Sequence, residues 1–183
     1  MLKHSEFAPI HTILIPFVHG GPGLHALEAA RHMDAEIILV GIVVVPPDQS
    51  LSVEAVTARA LRRLLRAYGK DKRITSKSQI IVSYQPWNEL SNLIQKEKPD
   101  LLCLEWEAHF TALGVTTNDV LTRPPCDIAL VHGKLPSKPK QILVPVRGGP
   151  HAELALRVGL GLHPKGVTAL HLRTSDDPEA GSD

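Results

Sequence analysis

Gly20-Gly21-Pro22-Gly23 is the stretch of this chain whose residue types could cradle a phosphate, because glycine backbone lets several N–H groups converge on one anion. No Lys, Ser or Thr accompanies the glycines, and neither a P-loop nor a GxGxxG fingerprint is present. The stretch therefore reads as a tight turn from strand to helix. Ten histidines offer metal ligands, yet only His25 and His32 share a helical spacing, two turns apart. A metal more often takes i, i+4 pairs or a cysteine partner, so no metal is expected. Cys103 falls inside an apolar run and Cys126 lies between Pro125 and another, which are settings for inert thiols. No Ser-His-Asp or Cys-His elbow is visible, and the chain is not expected to be an enzyme. Arg59, Arg62, Arg63 and Arg66, followed by Lys70, Lys72 and Arg73, could meet anionic lipid or nucleic acid. No aromatic residues interleave them, so they read as a solvated helix face, and no nucleic-acid partner is expected.

A net charge of +1 across 183 residues gives no global pull toward a polyanion. The longest apolar run, residues 37–45, is strand-sized and too short to cross a bilayer, so no direct membrane insertion is expected. Residues 1–6 lack the apolar region of a signal peptide, and two cysteines do not make a disulfide framework. The expectation is a cytoplasmic protein. The chain could equally be a fragment of a longer tandem protein or a soluble part of a larger, transporter-linked one.

Short apolar runs alternate with helical periods. Strands are expected at residues 12–17, 36–45, 79–85, 100–105 and 127–131, and helices at 23–33, 53–68, 87–97 and 116–121. Residues 106–115 read as a loop, and Trp87 as the residue that caps a helix start. On residues 53–68, Val56, Ala60, Leu61, Leu64, Leu65 and Tyr68 repeat at helical spacing, with the arginines opposite. Strands alternating with helices give an α/β fold, an open five-stranded parallel sheet with helices on both faces. The opening unit then recurs. Ile13-Leu14-Ile15-Pro16 and its Gly-Gly-Pro turn return as Ile142-Leu143-Val144-Pro145 and Gly148-Gly149-Pro150. A Pro/Lys linker at 133–140 leads into this partial second copy, residues 141–173, expected as strand 141–146, helix 151–162 and strand 167–172. The acidic tail 174–183 is expected to be disordered.

Residues 10–132 resemble the universal stress protein family. The resemblance rests on Ile13-Leu14-Ile15-Pro16, Ala26-Leu27 with Ala30, Pro99-Asp100-Leu101-Leu102, Leu113-Gly114, and Pro125-Cys126-Asp127-Ile128-Ala129-Leu130-Val131. It implies a Rossmann-like, adenine nucleotide alpha hydrolase-like fold for residues 1–132 and a preference for dimers or tandem pairs. In some members it implies ATP held by the loop after the fourth strand. Members that bind ATP carry an Asp just after the first strand, where this chain has Val18 and, in the second copy, Arg147. They carry two glycines after the fourth strand, where this chain reads Glu105-Trp106-Glu107-Ala108, and a hydroxyl after the next glycine, where Val115 follows Gly114.

Without glycines the backbone cannot close on an anion, and Glu105 and Glu107 put negative charge where a triphosphate would lie. Standard ATP binding is therefore expected to be lost and no cofactor to be held, with Trp106 plugging the vacated pocket. The alternative is an ATP or AMP sensor with altered phosphate contacts through Pro16, Phe17, Gly20, Gly21, Val43, Gly114, Val115, Thr116 and Thr117. A lone βαβ unit cannot cover both faces of its strands. Ile142, Leu143, Val144, Leu154, Leu156, Leu160 and Leu170 must find cover on the first domain or on another chain. The expectation is a homodimer built through this unit and the fifth-strand edge, serving as a regulatory or interaction module.

Overall fold

The unbroken apolar runs become central strands because a parallel strand sandwiched between helices has no face left for water. In the computed structural model, residues 7–70, 79–137, 139–147, 149–163 and 165–171 are described. Expectations that fall on Lys72, Arg73, Gly148, Leu172 and the tail 174–183 lie outside the described residues. The chain divides into two units, one of residues 11–135 and one of residues 1–10 with 136–183.

The larger unit runs β1 (Thr12–Val18), α1 (Leu24–Ala30), β2 (Glu36–Val44), α2 (Ala55–Tyr68), β3 (Gln79–Ser83), α3 (Pro86–Glu97), β4 (Leu101–Glu105), α4 (Ala108–Leu113), α5 (Thr117–Thr122) and β5 (Ile128–Val131). Its strands form one parallel sheet in the order β3-β2-β1-β4-β5. The order reverses between β1 and β4, where Ile13 pairs with Ile37 on one side and with Leu101 on the other. Asp100 pins the start of both strands, its Oδ2 accepting from the backbone of His11 and Thr12 at 2.8 and 2.9 Å.

Side-chain alternation divides the core between two faces. Leu14, Val40, Ile42, Leu102 and Leu104 pack with Leu90, Leu93 and Ile94 of α3, Phe110 and Leu113 of α4, and Val120 of α5. The alternate residues Ile13, Ile15, Phe17 and Cys103 meet α1 and α2, as the Cys103 thiol near the Ala26 carbonyl and the Phe17 ring 5.4 Å from Tyr68 record. Gly41 of β2 lets α2 approach. A Cβ there would stand 2.5 Å from Ile80 Cδ1 and 2.9 Å from Leu61 Cδ2. Gly41→Ala is expected to cost about 2 kcal/mol by overpacking, read as a lower urea midpoint at unchanged slope.

Four expectations are corrected. The first helix ends at Ala30 rather than 33, because His32 and Met33 bond back to Ala29 and Ala30 in a tighter i→i−3 turn. Residues 106–115, expected as a loop, contain α4, a helix of 6 residues too short to leave a clear period. Trp87 does not cap α3, whose N-cap is Gln85 and whose first turn carries Pro86. On α2 only Leu61 and Leu65 are buried, whereas Val56 and Leu64 are 65% and 45% exposed. Other boundaries shift by one or two residues, as helix and strand ends do.

In the smaller unit, β6 (Ile142–Val146), α6 (Pro150–Leu162) and β7 (Val167–His171) form a two-stranded parallel sheet with one helix against it. Val144 and Leu160 are buried, and Ile142, Leu154 and Leu156 are half-buried. Leu143, at the position of the fully buried Leu14 in the repeat, is 60% exposed, and Leu170 is 38% exposed. The Arg157 Nε donates to the Ala8 carbonyl at 2.8 Å, which ties residues near the start of the chain to α6.

Candidate functional site

In an open parallel sheet, ligands enter the crevice beyond the strand C-termini where the strand order reverses. In this protein that point lies between β1 and β4, and Glu105 and His109 stand there. β4 ends on Glu105, whose Oε1 accepts from the backbone N–H groups of Gly23, His25 and Ala26 at 2.9, 2.7 and 3.3 Å. These are the N–H groups that open α1 and have no partner inside the helix. An internal carboxylate thus stands where an external anion would be drawn by the same donors and the same dipole.

His109 of α4 seals the arrangement from below, with no solvent exposure. Its Nδ1 accepts from the Glu105 N–H at 2.7 Å, so Nε2 carries the ring proton and donates to the Pro16 carbonyl 2.9 Å away. Burial lowers the His109 pKa, opposed but not overcome by the Pro16 bond and the Glu105 charge. A neutral ring therefore bridges the ends of β1 and β4. Sequence reading passed over His109 among ten histidines. The available signal was a Glu105-x-x-x-His109 spacing in the segment where glycines had been replaced.

Trp106 is not the plug. It is 37% exposed, its indole N–H reaches Glu107 Oε1 at 3.3 Å, and its ring meets Phe110 edge-on at 5.6 Å. Glu105 is the residue that fills the position, because a carboxylate satisfies helix N–H donors and an indole cannot.

The glycine stretch is the turn its composition suggested. Gly21 N–H bonds to the Val18 carbonyl at 3.0 Å, and Gly23, at φ 141°, leaves no room for a Cβ, which would lie 2.7 Å from the Phe17 ring. Gly20 and Gly21 are exposed, while Pro16, Phe17 and Val43 are buried within the sheet. Gly114 ends α4 in the left-handed conformation at φ 67°, and Val115 N–H returns to the Phe110 carbonyl at 3.0 Å, so that glycine serves a helix terminus. Thr116 is the N-cap of α5. Its hydroxyl and its backbone N–H both donate to Asp119 Oδ2, at 2.6 and 2.9 Å, which holds the Asp119 carboxyl below the usual range, while Asp119 N–H donates back to the hydroxyl. Thr117 is half-buried on the first turn of α5.

A separate cleft of about 340 Å³ opens beside this group, lined by Val44, Tyr84, Pro86, Trp87, Gly114 and Val115 among others. Of the residues the sequence singled out for a nucleotide, Gly114 and Val115 border it. Val44 lines it in place of Val43, which points to the other face of the sheet. The two thiols are quiet, with burial pushing Cys103 up to about 12 and Cys126 up to about 11. Neither supplies a thiolate at neutral pH. Among the described residues no group of three or more His, Cys, Asp or Glu could hold a metal ion.

Sheet order and crossovers define a doubly wound α/β domain in which Glu105 takes up the first N–H groups of α1 at the switch point. Residues 24–132 match the sequence model of the universal stress protein family, and the chain belongs to that family. No curated protein matches the sequence. Among solved structures, a universal stress protein in complex with cAMP is 19% identical at a TM-score of 0.49, over 68% of this chain and 98% of that one. A universal stress protein family protein from Arabidopsis thaliana with AMP bound is 12% identical at a TM-score of 0.45, over 67% and 91%. No helix among the described residues is long and apolar enough to cross a membrane.

Proposed function

We propose that this protein is a non-catalytic regulatory or interaction module of universal stress type, cytoplasmic and homodimeric, that does not bind ATP in the standard way. One observation carries the reading: Glu105 occupies the N–H groups that open α1, with His109 holding its backbone in place. A triphosphate would have to displace a carboxylate already bonded to those donors and approach the Glu107 charge as well. Dimerisation is supported by the exposed Leu143 and Leu170 of the partial second copy and by the half-buried, edge-lying β5. Titrating MgATP into the protein by calorimetry is expected to give no binding tighter than about 1 mM. Tight binding would overturn the reading.

The cleft bordered by Gly114 and Val115 favours a second reading, in which an adenine nucleotide is held with altered phosphate contacts. The Thr116 hydroxyl is already engaged by Asp119, which weighs against it. Mass spectrometry of small molecules released from freshly purified protein separates the two.

A further inference from the structure

The helix that joins β2 to β3 carries a face the fold leaves uncovered. Leu61 and Leu65 of α2 are seated in the core at 2% and 1% exposure. At about 100° per residue, Val56, Ala60, Leu64 and Ala67 fall within one arc on the outside, and Leu51 and Val53 lead into it from the preceding turn. Leu51, Val53 and Val56 are 48%, 62% and 65% exposed. Beside this arc stand Arg59, Arg62, Arg63 and Arg66, all exposed, and α2 contains no Asp or Glu. In a chain of 20 basic and 19 acidic residues, that is a local concentration of positive charge.

We propose that α2 adsorbs to an anionic bilayer surface, its arginines against headgroup phosphates and Val53, Val56 and Leu64 dipping into the interface. Charge complementarity selects the occupant. A second copy would bring four arginines against four. Nucleic acid would engage the arginines but leave the apolar arc in water. A protein partner of ordinary affinity is anchored by aromatic or arginine side chains set into pockets. The arc itself carries only aliphatic side chains, and a lipid interface asks for no matching shape. Neither the apolar strip nor the charge is sufficient alone, and reversible membrane attachment commonly combines two weak signals of these kinds.

The test is co-sedimentation of the full chain with phosphatidylcholine vesicles, with and without about 30% phosphatidylserine, at about 0.1 M salt. Binding to the anionic vesicles alone is expected, falling steeply as salt is raised. Combined Arg62→Ser, Arg63→Ser and Arg66→Ser is expected to lower the partition about tenfold or more, and Val56→Asp separately to lower it, both with unchanged circular dichroism and melting temperature. No partition at any composition would overturn the proposal, as would equal binding to neutral vesicles. So would a strip whose variants change duplex DNA binding or oligomeric state while vesicle binding stays the same.

Discussion

Replacing Glu105 by alanine is expected to destabilise the protein by about 3 kcal/mol, measured by urea unfolding followed through tryptophan fluorescence. The carboxylate accepts from three backbone N–H groups that no other described group takes up, and hydrogen bonds to a charged acceptor are worth more than neutral ones. Water can reach part of this half-buried site, which keeps the loss below the sum of three such bonds. Glu105→Gln keeps a neutral acceptor of the same shape and is expected to lose about half as much. A loss under about 0.5 kcal/mol for the alanine variant would mean that the carboxylate rests on α1 without holding it.

Acidification acts through His109. Its folded pKa is lowered by burial, while in the unfolded chain the ring titrates near 6.5. A depressed folded pKa means that the contribution is fully present above the unfolded value and is lost as pH falls from there through the folded value. Protonation would also turn Nδ1 from an acceptor into a donor facing the Glu105 N–H. The charge facing the ring is Glu105, and the remaining contact is the neutral Pro16 carbonyl. Between pH 7.5 and 5.5 the native protein is expected to lose about 1 kcal/mol more than His109→Gln, whose side chain does not titrate. Parallel stability profiles for the two proteins would remove His109 from the account.

Much of the architecture was legible because the signals for it are local. Ile13-Leu14-Ile15 and the run from Ile37 to Val43 could only be strands covered on both faces, and the returning Ile142-Leu143-Val144-Pro145 announced a second β–turn–α unit. The surroundings of the α1 start were half legible. Missing glycines and the two glutamates marked the segment after the fourth strand, but not that Glu105 bonds to the α1 N–H groups. Trp106 looked like the natural plug by size, yet three unpaired backbone donors select a carboxylate. Gly114 and Thr116, named for a nucleotide only in the alternative reading, also serve as a helix terminus and a helix cap.

By itself the chain determined its strands, most of its helices and the absence of glycine from the segment Glu105-Trp106-Glu107-Ala108, since periodicity and composition are properties of neighbouring residues. Only the tertiary structure decided that Glu105 reaches the start of α1 some 80 residues away, and that His109 bridges β1 and β4. It alone decided that Val56 and Leu64 face water beside the arginines. Those facts depend on which strands become neighbours and how far a helix rolls on its sheet. Long-range packing sets both, and no local pattern records either.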